Sequence, residues 1–208
     1  MIMKTLIIID VQNDFMPGSA LAVSHGDEIV PIINELQQHF ELVIATQDWH
    51  PENHSSFAKN HPGGKEFDVI DLNGQEQVLW PVHCVQNTTG ADFHPELDTT
   101  KIEAIFRKGT DSEIDSYSGF FDNAHKKSTG LAGYLKEKGA HELYFCGLAA
   151  DFCVFYSILD ALGEGFSAYL IEDSTRAIDP EKFGEAKKSI LEKGGRIIKA
   201  SEIIEDKI

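Results

Sequence analysis

The sequence has little positive charge and no long apolar run. It contains 18 basic residues against 34 acidic ones, which gives a formal net charge of -16. Such a chain repels the phosphate backbone of nucleic acids and the anionic surface of membranes. No apolar run approaches the roughly 20 residues that a transmembrane helix needs. We therefore expect neither a nucleic-acid partner nor a membrane partner.

Cysteine is also scarce. The three cysteines, Cys84, Cys146 and Cys153, show no paired spacing. The first residues, MIMKT, run into a strand-like segment without the apolar stretch and cleavage site of a signal peptide. Both features are typical of a reducing compartment, so we expect a cytoplasmic protein. The sequence is compatible with a homo-oligomer.

Strand-like and helical patterns alternate along the chain. The apolar run TLIIID at residues 5–10 is typical of a strand buried on both faces. Further strands are predicted at residues 42–46, 103–108, 141–146, 167–171 and 196–198, and helices at residues 26–40, at 128–139, after residue 150 and from Asp179-Pro180. A polar segment at residues 85–100 is predicted to be a loop near the functional site. The alternation predicts an α/β fold with a mostly parallel sheet, and 208 residues fit one domain over residues 1–208.

Three chemically useful side chains lie at predicted strand ends. Asp10 ends the first apolar run, Lys108 ends the strand at residues 103–108, and Cys153 follows the strand at residues 141–146. Ligands bind at the carboxyl ends of strands in open α/β sheets. Each residue also has an ordinary interpretation, as a loop carboxylate, a solvated lysine and a buried core cysteine.

Cys153 is predicted to lie in the first turn of a helix. Unpaired N–H groups and the positive end of the helix dipole favour the thiolate there. The same N–H groups are suited to holding a developing oxyanion. The position therefore suits a nucleophile and a small buried core cysteine equally well.

Several possible metal ligands follow the second predicted strand. Asp48 and His50 are two residues apart, which in extended backbone places both on one side of the chain. His54, Ser56 and His83 come later. One aspartate with two or three histidines is typical of a catalytic site for zinc, manganese or ferrous iron. The residues alone leave two interpretations open: one divalent ion, with zinc as the first choice, or plain surface histidines.

Six motifs occur in a fixed order: IIIDVQNDF, TQDWHPENHSSF, WPVHCV, FRKGTD, YSGF and GLAADFCV. Together they resemble the isochorismatase-like cysteine hydrolases, and within them the members that hydrolyse nicotinamide. The resemblance covers nearly the whole chain. It implies a three-layer α/β/α fold with Rossmann-like topology, and hydrolysis of nicotinamide, and also of pyrazinamide, through a thioester in NAD salvage.

The resemblance also assigns roles to residues. It implies a catalytic triad, an oxyanion hole of two backbone N–H groups after a cis peptide bond, and a set of metal ligands. The triad is Asp10, Lys108 and Cys153, and the oxyanion hole consists of the N–H groups of Ala149 and Cys153. The metal ligands are Asp48, His50 and His83. Some members have another ligand at the position of Ser56, where this chain has a hydroxyl, with His54 two residues earlier. Water, Ser56 or His54 therefore remain the alternatives for completing the coordination.

The metal residues and the triad lie in different parts of the chain. We therefore expect the metal to hold the ring nitrogen of the substrate rather than to take part in proton transfer. Candidates for packing the ring are Phe15, Trp80 and Tyr117.

Three rival functions remain. They are hydrolysis of another small amide or related substrate, a non-catalytic binding protein on the same fold, and a thiol redox protein. The last would need a resolving cysteine near Cys153, and Cys146 is expected to be buried.

Overall fold

The computed structural model describes residues 3–205. Its strands are β1 (Met3–Ile9), β2 (Leu42–Asp48), β3 (Val69–Leu72), β4 (Gln75–Val78), β5 (Ile102–Lys108), β6 (Ala140–Leu148), β7 (Ser167–Arg176) and β8 (Arg196–Ile198). Its α-helices are α1 (Ile29–Leu36), α2 (Leu131–Lys138), α3 (Phe155–Gly163), α4 (Pro180–Glu192) and α5 (Ala200–Ile204). Six strands form one sheet in the order β5-β2-β1-β6-β7-β8, with parallel pairing throughout.

Two apolar clusters cover the two faces of this sheet. Along β1, Leu6 and Ile8 belong to one cluster, and Ile7 and Ile9 belong to the other. Successive side chains of a strand point to opposite faces, so a run of apolar residues buries both. Helices α1 and α5 contribute to the first cluster, and α2, α3 and α4 to the second. The predicted three-layer α/β fold is confirmed.

The helix predicted at residues 26–40 is shorter than expected. Only α1 is α-helical, and 3-10 turns flank it at Gly26–Glu28 and Gln37–His39. The start predicted for α4 is confirmed, because the Asp179 side chain accepts hydrogen bonds from the N–H groups of Glu181 and Lys182. The single domain over residues 1–208 stays a prediction.

The β3–β4 hairpin was not predicted. It forms a separate antiparallel pair joined by Asn73 and Gly74, which both have positive φ. An Asn-Gly pair is a strong hairpin signal, but polar flanking residues hid it. Within residues 3–205, no helix is long and apolar enough to cross a bilayer.

Candidate active site

The structure brings the three strand-end residues together. Lys108 Nζ lies 2.9 Å from Asp10 Oδ2 and 3.3 Å from Cys153 Sγ. An oxygen of Asp10 and the Cys153 sulfur lie within 4.8 Å of each other. All three side chains are buried. The predicted proximity of these residues is therefore confirmed, although their catalytic roles stay predictions.

Backbone geometry at two strand ends makes this meeting possible. Asp10 has φ +46°, which turns the chain out of β1 immediately after Ile9. Gly147 on β6 has φ +106°, and a Cβ there would overlap the backbone of Ile9. Glycine therefore lets β6 pass close to the end of β1.

The segment after β6 positions the sulfur. The peptide bond between Leu148 and Ala149 is cis, as the resemblance implied. One turn of π-helix, Ala150–Val154, then leads into α3. Cys153 lies in this turn, so it is placed at the start of a helical segment, as predicted.

Lys108 is the centre of the polar network. Its ammonium also donates hydrogen bonds to Asp48 Oδ1 at 2.6 Å and to the Ser116 carbonyl at 3.0 Å. Burial disfavours the charged form, but the carboxylates of Asp10 and Asp48 outweigh it and raise the pKa of Lys108 well above its usual range. Lys108 is therefore a fixed positive charge between two carboxylates.

Asp10 and Cys153 are both hard to ionise. Burial raises the pKa of Asp10, although Lys108 and a 2.6 Å hydrogen bond from Thr46 Oγ1 lower it. Burial also raises the pKa of Cys153 well above its usual value, and Lys108 only partly opposes this. The expectation of a favoured thiolate is therefore wrong, because burial raises the pKa of this thiol and Lys108 does not offset the effect. A thiol in this position needs a base, and Asp10 is beside it.

The predicted metal ligands also lie together. Ligating atoms of Asp48, His50 and His83 are within 4.8 Å of one another, and all three residues are buried. The Nδ1–H group of His50 donates to the Gly109 carbonyl at 2.9 Å, and that of His83 donates to the Pro81 carbonyl at 2.8 Å. Each carbonyl fixes the tautomer, which leaves both Nε2 atoms free at 3.5 and 3.7 Å from Asp48 Oδ2. Two imidazole nitrogens and one carboxylate oxygen facing one point fit a divalent metal ion.

Two features shape the environment of His50. A Cβ at Gly109 would overlap the imidazole ring, so glycine permits the close approach. Burial opposes protonation of His50, but Asp48 outweighs it and raises the pKa of His50. A proton therefore competes with a metal ion for this imidazole.

His54 and Ser56 lie beside the metal ligands but are paired with each other. The Ser56 N–H group donates to His54 Nδ1 at 3.2 Å, and the Ser56 hydroxyl is 2.7 Å from the same nitrogen. Burial lowers the pKa of His54 to about 4. Its Nε2 atom has no hydrogen-bond partner within residues 3–205. One ring nitrogen of His54 lies within 4.8 Å of ligating atoms of His50 and Asp115. Completion of the metal coordination by water stays a prediction.

Asp48 joins the metal ligands to the triad. Its Oδ1 atom accepts a hydrogen bond from Lys108, whereas Oδ2 faces His50 and His83. Burial would raise its pKa, but Lys108 and His50 dominate and hold the pKa of Asp48 well below its usual value. Sequence separation had suggested two independent sites, but the structure shows one buried network.

The predicted aromatic residues line the same cavity as Cys153. Phe15, Trp80 and Tyr117 are all in its wall, and so is Ala149, one of the predicted oxyanion-hole residues. Four other wall residues were not predicted, namely Leu21, Asp115, Phe152 and Ile178.

Phe152 lies in the helical segment predicted after residue 150, where an aromatic side chain at helical spacing indicates a core residue. Its ring instead packs edge-to-face on Trp80 and Tyr117, with centroids 4.9 and 5.4 Å apart. Its position next to Cys153 was the available signal.

The other two cysteines are unsuited to redox chemistry. Cys84 and Cys146 are buried, and burial raises the pKa of both thiols above the usual value. All three cysteines are free. The thiol redox alternative therefore has no support in this structure.

The chain is similar to known amide hydrolases. The chain matches the isochorismatase domain family over residues 4–202. It is 51% identical over 174 residues to a nicotinamidase of Acinetobacter baylyi, covering 84% of this chain and 81% of that protein. A solved nicotinamidase and pyrazinamidase of Acinetobacter baumanii shares 46% identity at a TM-score of 0.94, covering 96% of this chain and 97% of its own. The pyrazinamidase of Pyrococcus horikoshii, solved in complex with zinc, shares 38% identity at a TM-score of 0.78, covering 94% and 98%.

Proposed function

The chain belongs to the isochorismatase domain family, and we propose that it is a metal-dependent amidase that hydrolyses nicotinamide to nicotinate and ammonia in NAD salvage. One observation carries this proposal. Lys108 Nζ lies 2.9 Å from Asp10 Oδ2 and 3.3 Å from Cys153 Sγ, at a cavity whose wall includes Asp48 and His83. A nucleophile, a base and their counter-ion thus meet beside a set of metal ligands. Pyrazinamide, which carries the same carboxamide on a similar ring, is a second expected substrate.

Cys153 is the nucleophile of the first half-reaction. An amide is a poor electrophile, and a covalent route divides one difficult step into two easier ones. Asp10 takes the thiol proton as the sulfur bonds to the carboxamide carbon, and the carbonyl electron pair moves onto oxygen. The N–H groups of Ala149 and Cys153 hold this oxyanion. Asp10 then gives its proton to the nitrogen, the C–N bond breaks, and ammonia leaves a thioester on Cys153.

Asp10 is again the base in the second half-reaction. It takes a proton from a water molecule as the water oxygen bonds to the thioester carbon. The C–S bond breaks, nicotinic acid is released and ionises, and the proton on Asp10 returns to the sulfur. Lys108 remains an ammonium throughout, and it balances whichever of Asp10 and Cys153 carries the negative charge.

We infer that Asp48, His50 and His83 hold a zinc ion. One carboxylate and two neutral imidazoles with an open position are a typical catalytic zinc set, and manganese or iron are alternatives for the same donors. The zinc complex of the Pyrococcus pyrazinamidase supports this choice. When bound, the ion supplies a Lewis-acid partner for the ring nitrogen.

Aromatic side chains complete the substrate pocket. Phe15, Trp80 and Tyr117 face the same cavity, and we infer that they pack against the pyridine ring. A ring held in this way has its carboxamide directed at Cys153, which raises the effective concentration of the reacting groups.

Ammonia release from nicotinamide tests the function. We expect turnover by the zinc-loaded protein, loss of turnover after chelation, and recovery when zinc is restored. Cleavage of a different small amide but not of nicotinamide would keep the amidase function and show that the assigned substrate is wrong. Absence of any amide cleavage by the zinc-loaded protein would remove the proposal.

We also infer a cytoplasmic location and a small-molecule partner. The three cysteines are free and buried, which suits a reducing compartment. A homo-oligomer and the lack of nucleic-acid and membrane partners stay predictions.

A further inference from the structure

The side chain of Gln12 holds both backbone polar groups of Asp48. Gln12 Oε1 accepts a hydrogen bond from the Asp48 N–H group at 2.8 Å, and Gln12 Nε2 donates to the Asp48 carbonyl at 2.8 Å. Nε2 also donates to the Ala91 carbonyl at 2.8 Å. Gln12 is fully buried. Three hydrogen-bonding positions of this amide are therefore used, two of them on one residue.

The sheet explains why Asp48 needs this partner. Parallel pairing of β1 with β2 ends at Ile8 and Ala45, since Asp10 turns the chain away. Pairing of β2 with β5 continues to Asp48 and Lys108. The last residues of β2 therefore have a strand on one side only. The amide of Gln12 has the donor and acceptor of a peptide group, and it replaces the missing strand on the other side.

The backbone of Asp48 is also where orientation matters most. Its carboxylate spans two partners, with Oδ1 at 2.6 Å from Lys108 and Oδ2 directed at the free nitrogens of His50 and His83. A small rotation of the backbone would move one oxygen away from its partner. Groups that fix a metal ligand from behind commonly change metal affinity by about 10–100-fold.

We propose that Gln12 is a positioning residue that orients Asp48 between Lys108 and the metal ion. The inference rests on the proposed function, because it assigns Asp48 to a metal site. Gln12 itself touches neither the triad side chains nor the imidazoles in any hydrogen bond described for it. Its effect must therefore pass through Asp48.

The test compares Gln12→Met with Gln47→Met. Gln47 is the residue before Asp48, is also buried, and donates to the same Ala91 carbonyl at 2.8 Å. Its other hydrogen bond is accepted from Arg107 Nε at 3.1 Å, away from the site. The two variants lose similar buried hydrogen bonds, but only Gln12→Met frees Asp48.

Zinc affinity is measured by competition with a chromophoric chelator, together with kcat and KM for nicotinamide and thermal unfolding of the metal-free protein. We expect Gln12→Met to weaken zinc binding by about 10–100-fold and to raise KM. The zinc affinity and the KM of Gln47→Met should stay within about threefold of the wild-type values. Both variants are expected to lose thermal stability. Equal zinc affinities in the two variants would overturn the inference and leave Gln12 with a purely structural role.

A second variant covers the case in which Gln12→Met does not fold. Gln12→Glu keeps the volume and the acceptor for the Asp48 N–H group, but it directs an oxygen at the carbonyls of Asp48 and Ala91. It should bind zinc more weakly than Gln47→Met, and equal binding would again overturn the inference. Wild-type protein that binds zinc without hydrolysing nicotinamide would refute the proposed function but leave this comparison intact.

Discussion

The two halves of the pocket are built in different ways. The triad side chains come from strand ends and hold one another, since Lys108 Nζ is 2.9 Å from Asp10 and 3.3 Å from Cys153. In the metal half, each histidine is instead fixed by a main-chain carbonyl, that of Gly109 for His50 and that of Pro81 for His83. The triad geometry thus depends on strand order, whereas the metal geometry depends on the path of loops.

Asp48 and Lys108 connect the halves. Their 2.6 Å hydrogen bond joins the last residues of two neighbouring strands, which pair in register. A change in one half is therefore expected to reach the other chiefly through this contact. Variants that lie on one side of it should affect one function, and variants of the contact itself should affect both.

The largest effect is expected from Cys153→Ala, which removes the nucleophile and leaves the metal half intact. Nicotinamide hydrolysis should fall by more than about 10⁴-fold, while zinc affinity stays near that of the wild type. The matched control is Cys146→Ala, which removes another buried thiol, hydrogen-bonded to the Ile7 carbonyl, and should keep its activity. In the wild-type protein, mass spectrometry after rapid quenching should show a nicotinoyl adduct on the peptide that contains Cys153. An adduct on the peptide of Cys84 or Cys146 instead would show that Cys153 is not the nucleophile.

Asp10→Asn and Lys108→Met separate the triad from the connecting contact. Asp10→Asn should reduce kcat by about 10²–10⁴-fold, because an amide neither accepts the thiol proton nor returns one to nitrogen. Its zinc affinity should change little. Lys108→Met should lose comparable activity and about 3–5 kcal/mol of stability, because it leaves two buried carboxylates without their counter-ion.

Lys108→Met should also bind zinc more tightly than the wild type, since the ammonium no longer competes for Asp48. Chelator competition on both variants measures this difference. Tighter binding in Asp10→Asn, or unchanged binding in Lys108→Met, would contradict the idea that the two halves are coupled mainly through the Asp48–Lys108 contact.

Removing the metal ion by chelation tests the role of the metal half in substrate binding. Removing zinc should raise KM for nicotinamide strongly, because the ring nitrogen loses its partner. Benzamide lacks that nitrogen, so it should be a poor substrate of the zinc-loaded protein and lose little more on chelation. Steady-state kinetics on both amides, before and after zinc is restored, give the result. Equal losses for the two amides would show that the ion acts on water or on the triad rather than on the ring.

The sequence predicted the individual strands and helices better than it predicted which strands lie side by side in the sheet. The run at residues 5–10 and the strand-end positions of Asp10, Lys108 and Cys153 were recognisable because burial and side-chain chemistry are local features. The contact between Asp48 and Lys108 was not recognisable in the sequence, because it depends on β2 lying beside β5 in the sheet. Strand order is a property of the whole fold and leaves no mark in either strand.

The loop after β1 shows the same limit. Its Gln12 and Asp14 resemble ordinary loop residues, yet Gln12 binds Asp48 and Asp14 Oδ2 accepts a 2.7 Å hydrogen bond from the N–H group of Cys84, next to His83. Polar loop residues are common, and only their partners distinguish them. The pocket residue Phe152 was missed for a similar reason, since an aromatic residue at helical spacing looks like core.

The smallest predicted effect lies within the triad and concerns pH. Asp10 must be ionised to take the thiol proton, so activity is present above its pKa and lost as the pH falls through it. Burial raises this pKa, whereas Lys108 and the 2.6 Å hydrogen bond from Thr46 lower it. Thr46→Val removes one of the lowering contributions. The acid limb of kcat/KM should therefore move to higher pH, with the plateau nearly unchanged.

Thr5→Val is the matched control for this shift. Thr5 is fully buried on β1, and its hydroxyl has no hydrogen-bond partner within residues 3–205. The same substitution there removes a buried hydroxyl near the amino end of β1, away from the carboxyl ends of the strands, so the pH profile should stay that of the wild type. Because protonation of His50 also releases metal at low pH, bound zinc is measured at each pH and the profiles are compared at full occupancy. An unshifted limb in Thr46→Val, or an equal shift in Thr5→Val, would mean that Asp10 is not the group whose ionisation limits the reaction in acid.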